Sequence, residues 1–382
     1  MSTRRINQPA PGVAPDRPLR LLLIAGTRPE AIKLAPLVLA ARSRPGIDTA
    51  LVATGQHGAL FDDALAPFGV VADETLCLGA PGQTIDQLAA CIHAALPPLL
   101  DRLRPDLLVV QGDTTTAWAA ALAAHVHGVA VAHVEAGLRS GDPDLPWPEE
   151  RNRIAIDRIA TFLFAPTPVA AANLYAEGVP GRIHVTGNSG IDALLHVHAT
   201  LPIWRRESGV RRLLVTCHRR ENAGAPLVRV CAALRTIARR RDTRITVPMH
   251  PNPASGAVMA ALLAGVDAIR LVPPLGYAEM IATLVASDLV LSDSGGLQEE
   301  CPALGLPLLV LRDNSERPEA IALGNARLVG TDTDTIVAAV AGLLDCPRSY
   351  AAMAAPAFPF GDGRAAARML DHIQANALAP AA

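Results

Sequence analysis

The most regular feature of the sequence is an alternation between short apolar runs and longer stretches with helical spacing of apolar residues. In the longer stretches, such as EAIKLAPLVLAAR, apolar residues recur every three or four positions, which is typical of amphipathic helices. The short runs are apolar at nearly every position, which indicates strands buried on both faces. Such strands alternating with helices predict a parallel sheet with helices on both faces. The strands predicted for the first half are LRLLLIAG, DTALVAT, DLLVVQG, VAVAHVE and RIHVTG.

The alternation stops once, in the segment HATLPIWRRESGVRR, and then resumes. The sequence therefore predicts two α/β domains rather than one. The strands predicted for the second half are LLVTCHRREN, RITVPMH, AIRLVPP, ASDLVLSDSGG and GLPLLVLRDN, each taken with the loop that follows it. The predicted organisation is a disordered lead-in at residues 1–18, an N-terminal Rossmann-like domain at 19–187, a C-terminal Rossmann-like domain at 188–361, and an amphipathic helix at 362–382 that returns to the first domain.

Composition and charge narrow the possible functions. Aromatic residues make up only 3% of the 382 residues, so we expect a core of Ala, Leu, Val and Ile. The 34 basic and 36 acidic residues give a formal net charge of -2, which argues against a general nucleic-acid or membrane-surface binder. The lead-in lacks the apolar core of a signal peptide. The six cysteines form no C-x-x-C pair, which indicates reduced, mostly buried thiols of a cytoplasmic protein.

The fold class predicts where a ligand binds. In an open parallel sheet, ligands bind beyond the carboxyl ends of the strands. If the two sheets oppose each other, the polar residues at those ends face a common cleft. The polar residues just past predicted strands are Arg28, Gln56, Asp113, Glu135, His218, His250 and Ser294.

The segment SDSGGLQEE follows a predicted strand and begins a predicted helix. The segment of Asp293, Ser294, Gly295 and Gly296 would present backbone N–H groups at the helix N-terminus, which suits a phosphate. Glu300, one turn into the helix, is in position to accept hydrogen bonds from two ribose hydroxyls. Glu299 has the alternative role of stabilising the positive end of the helix.

The segment GTRPEAIKLAPL is a second strand-to-helix turn, with Arg28 and Lys33 about one helical turn apart. Two cations near a helix N-terminus are unfavourable for the helix itself. Their presence therefore predicts that they bind a diphosphate. Pro29 and Glu30 are ordinary helix-start residues.

Three positions carry candidate acid–base groups. Asp113 is either a catalytic carboxylate or only the N-cap of the helix that follows it. Glu135 ends an apolar strand and enters a glycine-containing loop, where a purely structural glutamate is hard to explain. Glu149 and Glu150 begin a helix and, taken alone, are interpreted as helix-start acids.

The sequence lacks the motifs of other common chemistries. The one run with G-x-G spacing, GDGRAA, follows no predicted strand, so a nicotinamide cofactor is not expected. The sequence has no G-x-S-x-G motif, no P-loop and no histidine cluster with metal-ligand spacing. We therefore expect neither a cofactor nor a metal ion.

Eight motifs together resemble those of the non-hydrolysing UDP-N-acetylglucosamine 2-epimerases. They occur in the family's order from about Leu19 to about Gly363. The resemblance implies a glycosyltransferase-B type fold with two Rossmann-like domains facing a cleft, the second of which binds UDP, and a cytoplasmic homodimer. The motifs are GTRPEAIKLAPL, GDTTTA, HVEAGLRSGD, PWPEERNR, TGN..IDAL, HRREN, SDSGGLQEE and RPEA.

The resemblance also implies a reaction, the reversible interconversion of UDP-N-acetylglucosamine and UDP-N-acetylmannosamine. No carbonyl activates the C2 proton, so the implied route is elimination of UDP to a 2-acetamidoglucal and re-addition. On this basis Asp113, Glu135, Glu149 and His218 are the catalytic candidates, and the UDP-sugar contacts are expected from Arg28, Lys33, Ser294, Gly295, Gly296, Glu300 and Arg317.

The sequence leaves three alternatives open. They are a hydrolysing relative that releases free N-acetylmannosamine, a glycosyltransferase of the same architecture, and a UDP-sugar-binding protein without catalysis. The expected partner is a UDP-sugar, with no nucleic acid and no membrane. The expected product would feed a surface polysaccharide.

Overall fold

The computed structural model describes residues 17–56, 58–80, 82–142, 144, 146–204, 207–249 and 253–377. Of the predicted lead-in, only the last two positions are among these residues. His250 lies outside the described residues. The chain divides into two compact units, Met1–His196 with Phe360–Ala382 and Val197–Pro359. The sequence pattern places the two transitions at 187/188 and 361/362.

One parallel sheet forms the centre of the first unit. Its strands are β1 (Leu19–Ala25), β2 (Ile47–Ala53), β3 (Glu74–Thr75), β4 (Leu107–Gln111), β5 (Ala130–Val134), β6 (Phe162–Ala165) and β7 (Arg182–Val185). Their order in the sheet is β3-β2-β1-β4-β5-β6-β7. All five strands predicted for this half are confirmed. The sequence pattern did not predict β3, which has two residues, or β6, which has four.

Helices connect these strands, because a parallel neighbour can be reached only by a crossover. They are α1 (Arg28–Arg42), α2 (Ala59–Leu65), α3 (Ile85–Leu103), α4 (Thr115–Val126), α5 (Glu149–Asp157) and α6 (Pro168–Glu177). Helix α7 (Ser189–Thr200) follows the last strand of this sheet. The core is aliphatic, as the composition predicts. Helix α4 contributes mainly alanines to it, and small side chains let a helix lie close to its neighbours.

The second unit contains a parallel sheet of six strands. They are β8 (Arg211–Thr216), β9 (Thr243–Pro248), β10 (Ile269–Val272), β11 (Leu289–Ser292), β12 (Leu308–Val310) and β13 (Ala326–Leu328). Their order in the sheet is β10-β9-β8-β11-β12-β13. All five predicted strands are confirmed here too, and only the three-residue β13 was missed. The helices are α8 (Ala225–Ile237), α9 (Pro253–Leu263), α10 (Tyr277–Val285), α11 (Gly295–Ala303), α12 (Pro318–Ala322), α13 (Thr333–Leu344) and α14 (Pro347–Met353). The prediction of two Rossmann-like domains is confirmed.

The last helix, α15 (Ala365–Ala377), packs on α1 in the first unit. Its N-terminus is fixed by Asp192, whose carboxylate accepts hydrogen bonds from the backbone N–H groups of Ala365 at 3.1 Å and Ala366 at 2.9 Å. A carboxylate at this end also favours the helix dipole. The predicted return of the C-terminal helix to the first domain is confirmed.

The cysteines are less buried than the sequence suggests. The thiols of Cys217, Cys231 and Cys301 are buried, Cys346 is half-buried, and Cys77 and Cys91 are exposed. Burial raises the pKa of the Cys231 thiol to about 11.

Among the helices that the structure describes, no single one is long and apolar enough to cross a bilayer. Helices α13 and α14 reach the required length and apolarity only as a pair, and they are bent by 98° relative to each other. Helix α13 buries Ile336, Val340, Leu343 and Leu344 in the core of the second unit.

A stacked pair of histidines joins β7 to α15. The rings of His184 and His372 lie 3.9 Å apart, centre to centre, and 20° from parallel. Burial, followed by the charges of His372 and Arg182, lowers the pKa of His184 to about 4. The unfolded chain, with an ordinary histidine pKa of about 6.5, therefore binds this proton more tightly than the folded chain.

We expect the free energy of unfolding to fall as the pH is lowered from about 6.5 to about 4, in part because of His184. The variant His184→Phe keeps a ring in the stack and removes the titrating group, so its stability should fall less over this range. Urea unfolding at about pH 7 and about pH 4.5 measures the difference. The exposed His125→Gln serves as the control. An unchanged pH dependence in His184→Phe would contradict this assignment.

Candidate active site

Glu30 holds the turn from β1 into α1. Glu30 accepts hydrogen bonds from the backbone N–H groups of Gly26 at 3.1 Å and Thr27 at 2.7 Å, so its helix-start role is confirmed. Its second oxygen accepts from Thr114 Oγ1 at 2.8 Å. Burial raises the pKa of the Glu30 carboxyl. This carboxylate therefore joins the turn that carries Arg28 to the loop that carries Asp113.

Glu135 lies at the carboxyl end of β5 in an unusual conformation. Its φ of 72° is in the left-handed region, which costs a non-glycine residue roughly 1–2 kcal/mol. Two backbone bonds hold it there, since the N–H groups of Glu135 and Ala136 both donate to the carbonyl of Phe164 at 3.1 Å. Strain that the surrounding structure maintains is common at functional sites.

The Glu135 side chain is 7% exposed and surrounded by donors. Lys33 Nζ donates to its two oxygens at 2.6 and 2.7 Å, and Asn188 Nδ2 donates to Oε1 at 3.0 Å. Gln111 Nε2 donates to Oε2 as well. These charge-assisted contacts fix the orientation of the side chain.

Asp113 follows β4 and faces helix α5. Arg153 Nη2 donates to its carboxylate, and Asn152 Nδ2 donates to its backbone carbonyl at 2.9 Å. The N-cap of α4 is Thr114, whose Oγ1 accepts from the N–H of Ala117 at 3.0 Å. The alternative interpretation of Asp113 as an N-cap is therefore wrong.

The two acids that begin α5 differ in their surroundings. Glu150 is buried and accepts a hydrogen bond from the N–H of Ser140 at 3.0 Å. Its Oε2 lies 3.3 Å from Arg153 Nη1, and these contacts give Glu150 a structural role. Glu149 is half-buried, and its Oε2 atom has no hydrogen-bond partner among the described residues although it is shielded from solvent.

Asp113 and Glu149 line one cavity of about 310 Å³ in the first unit. The two carboxyl groups therefore reach the same space by different routes, one from the end of β4 and the other from the start of α5. The other residues around the cavity are Thr27, Gln56, Gly79, Ala80, Gln83, Thr84, Ile85, Leu88, Thr114, Thr115 and Pro148.

In the second unit, β11 ends at Ser292 and helix α11 begins at Gly295. Ser294 is the N-cap, and its own N–H donates to Ser292 Oγ at 2.9 Å. The first N–H groups of an α-helix have no partner within the helix, so Gly295 and Gly296 direct donors outward. A Cβ atom on Gly295 would lie 3.5 Å from the guanidinium groups of Arg219 and Arg317, which therefore flank this N-terminus.

Three arginines surround Glu316 next to that helix end. Arg219 Nη2 and Arg317 Nη1 lie 2.9 and 3.1 Å from its Oε1, and Arg312 Nη1 donates to Oε2 at 2.7 Å. Burial opposes ionisation of Glu316, but the neighbouring guanidinium groups outweigh it and lower the pKa to about 2. Arg317 Nε also donates to Glu299 Oε1 at 2.8 Å, so Glu299 positions this arginine.

His218 follows β8 and contacts the buried Asp293. Its Nδ1 lies 3.0 Å from Asp293 Oδ1, and the backbone N–H groups of His218 and Arg219 donate to the same carboxylate. Burial opposes ionisation of Asp293, but the hydrogen bond and charge of His218 outweigh it and lower the pKa to about 2. The anion places a proton on Nδ1 and orients the half-exposed ring.

The structure thus gathers Lys33, Asp113, Glu135 and Glu149 in the first unit, and His218, Ser294, Gly295, Gly296 and Arg317 in the second. Arg28 is half-buried at the start of α1, and Glu300 is half-buried in α11. Within the described ranges, no group of three or more His, Cys, Asp or Glu side chains is arranged to hold a metal ion. The residues that sequence reasoning missed are Gln111, Asn152, Arg153 and Asn188, all of which stand in or next to the motifs quoted above.

Comparison with known proteins identifies the family. The model of the family described as UDP-N-acetylglucosamine 2-epimerase matches residues 39–374. A probable UDP-N-acetylglucosamine 2-epimerase of Ralstonia nicotianae is 42% identical over 370 residues, which cover 93% of this chain and 99% of the relative. The UDP-N-acetylglucosamine 2-epimerase of Escherichia coli K12 is 40% identical over 374 residues, covering 94% and 99%.

Solved structures agree with this assignment. The UDP-N-acetylglucosamine 2-epimerase of Neisseria meningitidis, bound to UDP-N-acetylglucosamine, is similar with a TM-score of 0.88 and 35% identity, covering 94% of this chain and all of that one. The enzyme of Methanocaldococcus jannaschii, in complex with UDP-N-acetylglucosamine and UDP, has a TM-score of 0.78 and 32% identity, with the same coverage. The fold is of the glycosyltransferase-B type, and the chain belongs to the UDP-N-acetylglucosamine 2-epimerase family.

Proposed function

We propose that the protein interconverts UDP-N-acetylglucosamine and UDP-N-acetylmannosamine without hydrolysing either. A base removes the C2 proton while the bond from C1 to the diphosphate oxygen breaks, which gives UDP and 2-acetamidoglucal. A proton then adds to the opposite face of C2 as UDP returns to C1. Atoms and charge balance, and no oxidant or reductant is consumed.

The observation that carries this proposal is the group of three carboxyls in the first unit, each in a different environment. Glu135 is held by Lys33 and two amide donors, and Asp113 is held by Arg153. Glu149 has a buried oxygen without a described partner. Inverting C2 needs a proton acceptor on one face and a proton donor on the other, and carboxyl groups can serve in both roles.

The second unit provides groups that suit the departing diphosphate and its nucleoside. The N-terminus of α11 and the guanidinium group of Arg317 favour a phosphate. Arg28, at the start of α1, is also proposed to bind the diphosphate. Glu300 is proposed to bind the ribose hydroxyls. His218, oriented by Asp293, is proposed to act on the diphosphate oxygen as it gains charge.

The decisive experiment follows UDP-N-acetylglucosamine alone in deuterium oxide by NMR. We expect UDP-N-acetylmannosamine with deuterium at C2 and no net release of UDP, because the base exchanges its proton with solvent. Accumulation of UDP with free N-acetylmannosamine would identify a hydrolysing enzyme. A requirement for an acceptor would identify a glycosyltransferase. Full retention of protium at C2 would exclude the elimination route.

Three further parts of the proposal concern the setting of the reaction. We propose a homodimer, which sedimentation of the purified protein tests. We propose a cytoplasmic location, where the nucleotide-sugar substrate would be made and used. The product is proposed to enter the assembly of a surface polysaccharide.

A further inference from the structure

A buried histidine lies behind the candidate carboxylates and has no place in the mechanism above. His133 is in β5, two residues before Glu135, and its side chain is fully shielded from solvent. Its Nδ1 lies 2.6 Å from Asp157 Oδ1, and its Nε2 lies 2.8 Å from the carbonyl oxygen of Gly112. Both ring nitrogens therefore face oxygen atoms at hydrogen-bond distance.

The two contacts fix the orientation of the ring. A carbonyl oxygen can only accept, so Nε2 carries a proton and donates it to Gly112. Asp157 also accepts from Arg139 Nη2 at 2.8 Å and from the N–H of Gly137 at 3.2 Å. The ring of His133 is therefore joined on one side to the end of β4 and, through Asp157, to the loop after β5 on the other.

Asp157 is itself held firmly by a cation. Arg139 contacts it through Nη2 at 2.8 Å and contacts Glu177 through Nε at 2.6 Å. The carboxylate that faces His133 therefore has a fixed position in the interior.

We propose that the ring of His133 positions the two loops bearing Asp113 and Glu135. Its Nε2–H donates to the carbonyl of Gly112, the residue before Asp113. Its Nδ1 contacts Asp157, which in turn accepts from the N–H of Gly137, two residues after Glu135. The ends of β4 and β5 are therefore fixed to one imidazole ring, and His133 is a positioning residue rather than a catalytic one. Its kinetic role rests on the proposed epimerisation, whereas its hydrogen bonds do not.

The hydrogen bond to Gly112 is tested on the unaltered protein. We expect NMR of the ¹⁵N-histidine-labelled protein to show a solvent-protected proton on Nε2 of His133, assigned by its loss in His133→Gln. A ring without a proton on Nε2 would overturn the proposal, even if the protein is an active epimerase.

The positioning role is tested by kinetics. We expect His133→Gln to lower kcat by about tenfold to a hundredfold, because a displaced reacting group loses rate even when the substrate still binds. KM should change by less than about threefold, since ground-state contacts remain. The matched control is His184→Gln, a histidine of the same unit that contacts neither loop. If His133→Gln folds and keeps kcat within about threefold of the unaltered protein, the proposal is wrong.

Discussion

The Glu149→Gln variant is expected to lose about 10²- to 10⁴-fold in kcat and to bind UDP nearly as well as the unaltered protein. The amide keeps the size and shape of the side chain and removes its capacity to give or take a proton. The loss should fall on turnover, because the groups proposed to bind UDP lie elsewhere in the chain. Steady-state epimerisation and UDP titration by calorimetry measure the two effects separately.

A helix-start acid with a purely structural role provides the control for Glu149. Glu279 occupies that position at the start of α10, where its Oε2 accepts from the N–H of Gly276 at 2.8 Å. Glu279→Gln should leave kcat unchanged, since glutamine serves equally well in a capping box. Normal turnover by Glu149→Gln would restore the structural interpretation of this residue.

The other two carboxylates should respond in the same direction. Asp113→Asn and Glu135→Gln are each expected to lose turnover over the same range. Lys33 offers a check on Glu135, because Lys33→Met removes the contacts at 2.6 and 2.7 Å and keeps the length of the side chain. If Lys33 acts through Glu135, this variant should lose kcat rather than UDP affinity. The opposite result would favour the predicted contact of Lys33 with a diphosphate.

The sequence predicts the fold well because the strands are nearly continuous apolar runs. The strands that it misses, β3, β6 and β13, have two, four and three residues. β3 and β13 contain charged residues and no continuous apolar run, and pairing with β2 and β12 places them in their sheets. β6 is apolar throughout, so its omission has no explanation in the local pattern.

The candidate site is predicted less completely, because the partners of each residue come from distant parts of the chain. The position of Glu135 after a strand can be read locally, but its contacts with Lys33 and Asn188 span 102 and 53 residues. Asp293 is visible as part of a phosphate-binding turn, whereas its contact with His218 requires two strands to be neighbours. Motif spacing along the chain therefore predicts which residues are candidates for catalysis or binding. The residues that contact and orient them become visible only when the order of the strands in the sheet is known.

The largest expected effect on binding is that of Arg317→Ala, which should weaken UDP binding by about tenfold or more. A charge-assisted hydrogen bond contributes roughly 1.5 to 3 kcal/mol, and a bond to phosphate exists in the ground state as well as the transition state. Affinity and turnover should therefore fall together. Arg28→Ala is also expected to lower UDP affinity and turnover together.

The geometry around Arg317 allows a graded test of this prediction. Glu299 holds Nε at 2.8 Å, which fixes the plane of the guanidinium group next to the N-terminus of α11. Arg317→Lys keeps the charge but not the planar fork, so its affinity for UDP should lie between those of the unaltered protein and Arg317→Ala. Arg229→Ala removes an exposed arginine of the same unit, whose guanidinium donates to Thr331 Oγ1 at 2.9 Å, and should not change UDP binding. Equal UDP affinity in Arg317→Ala and Arg229→Ala would place the diphosphate away from Arg317.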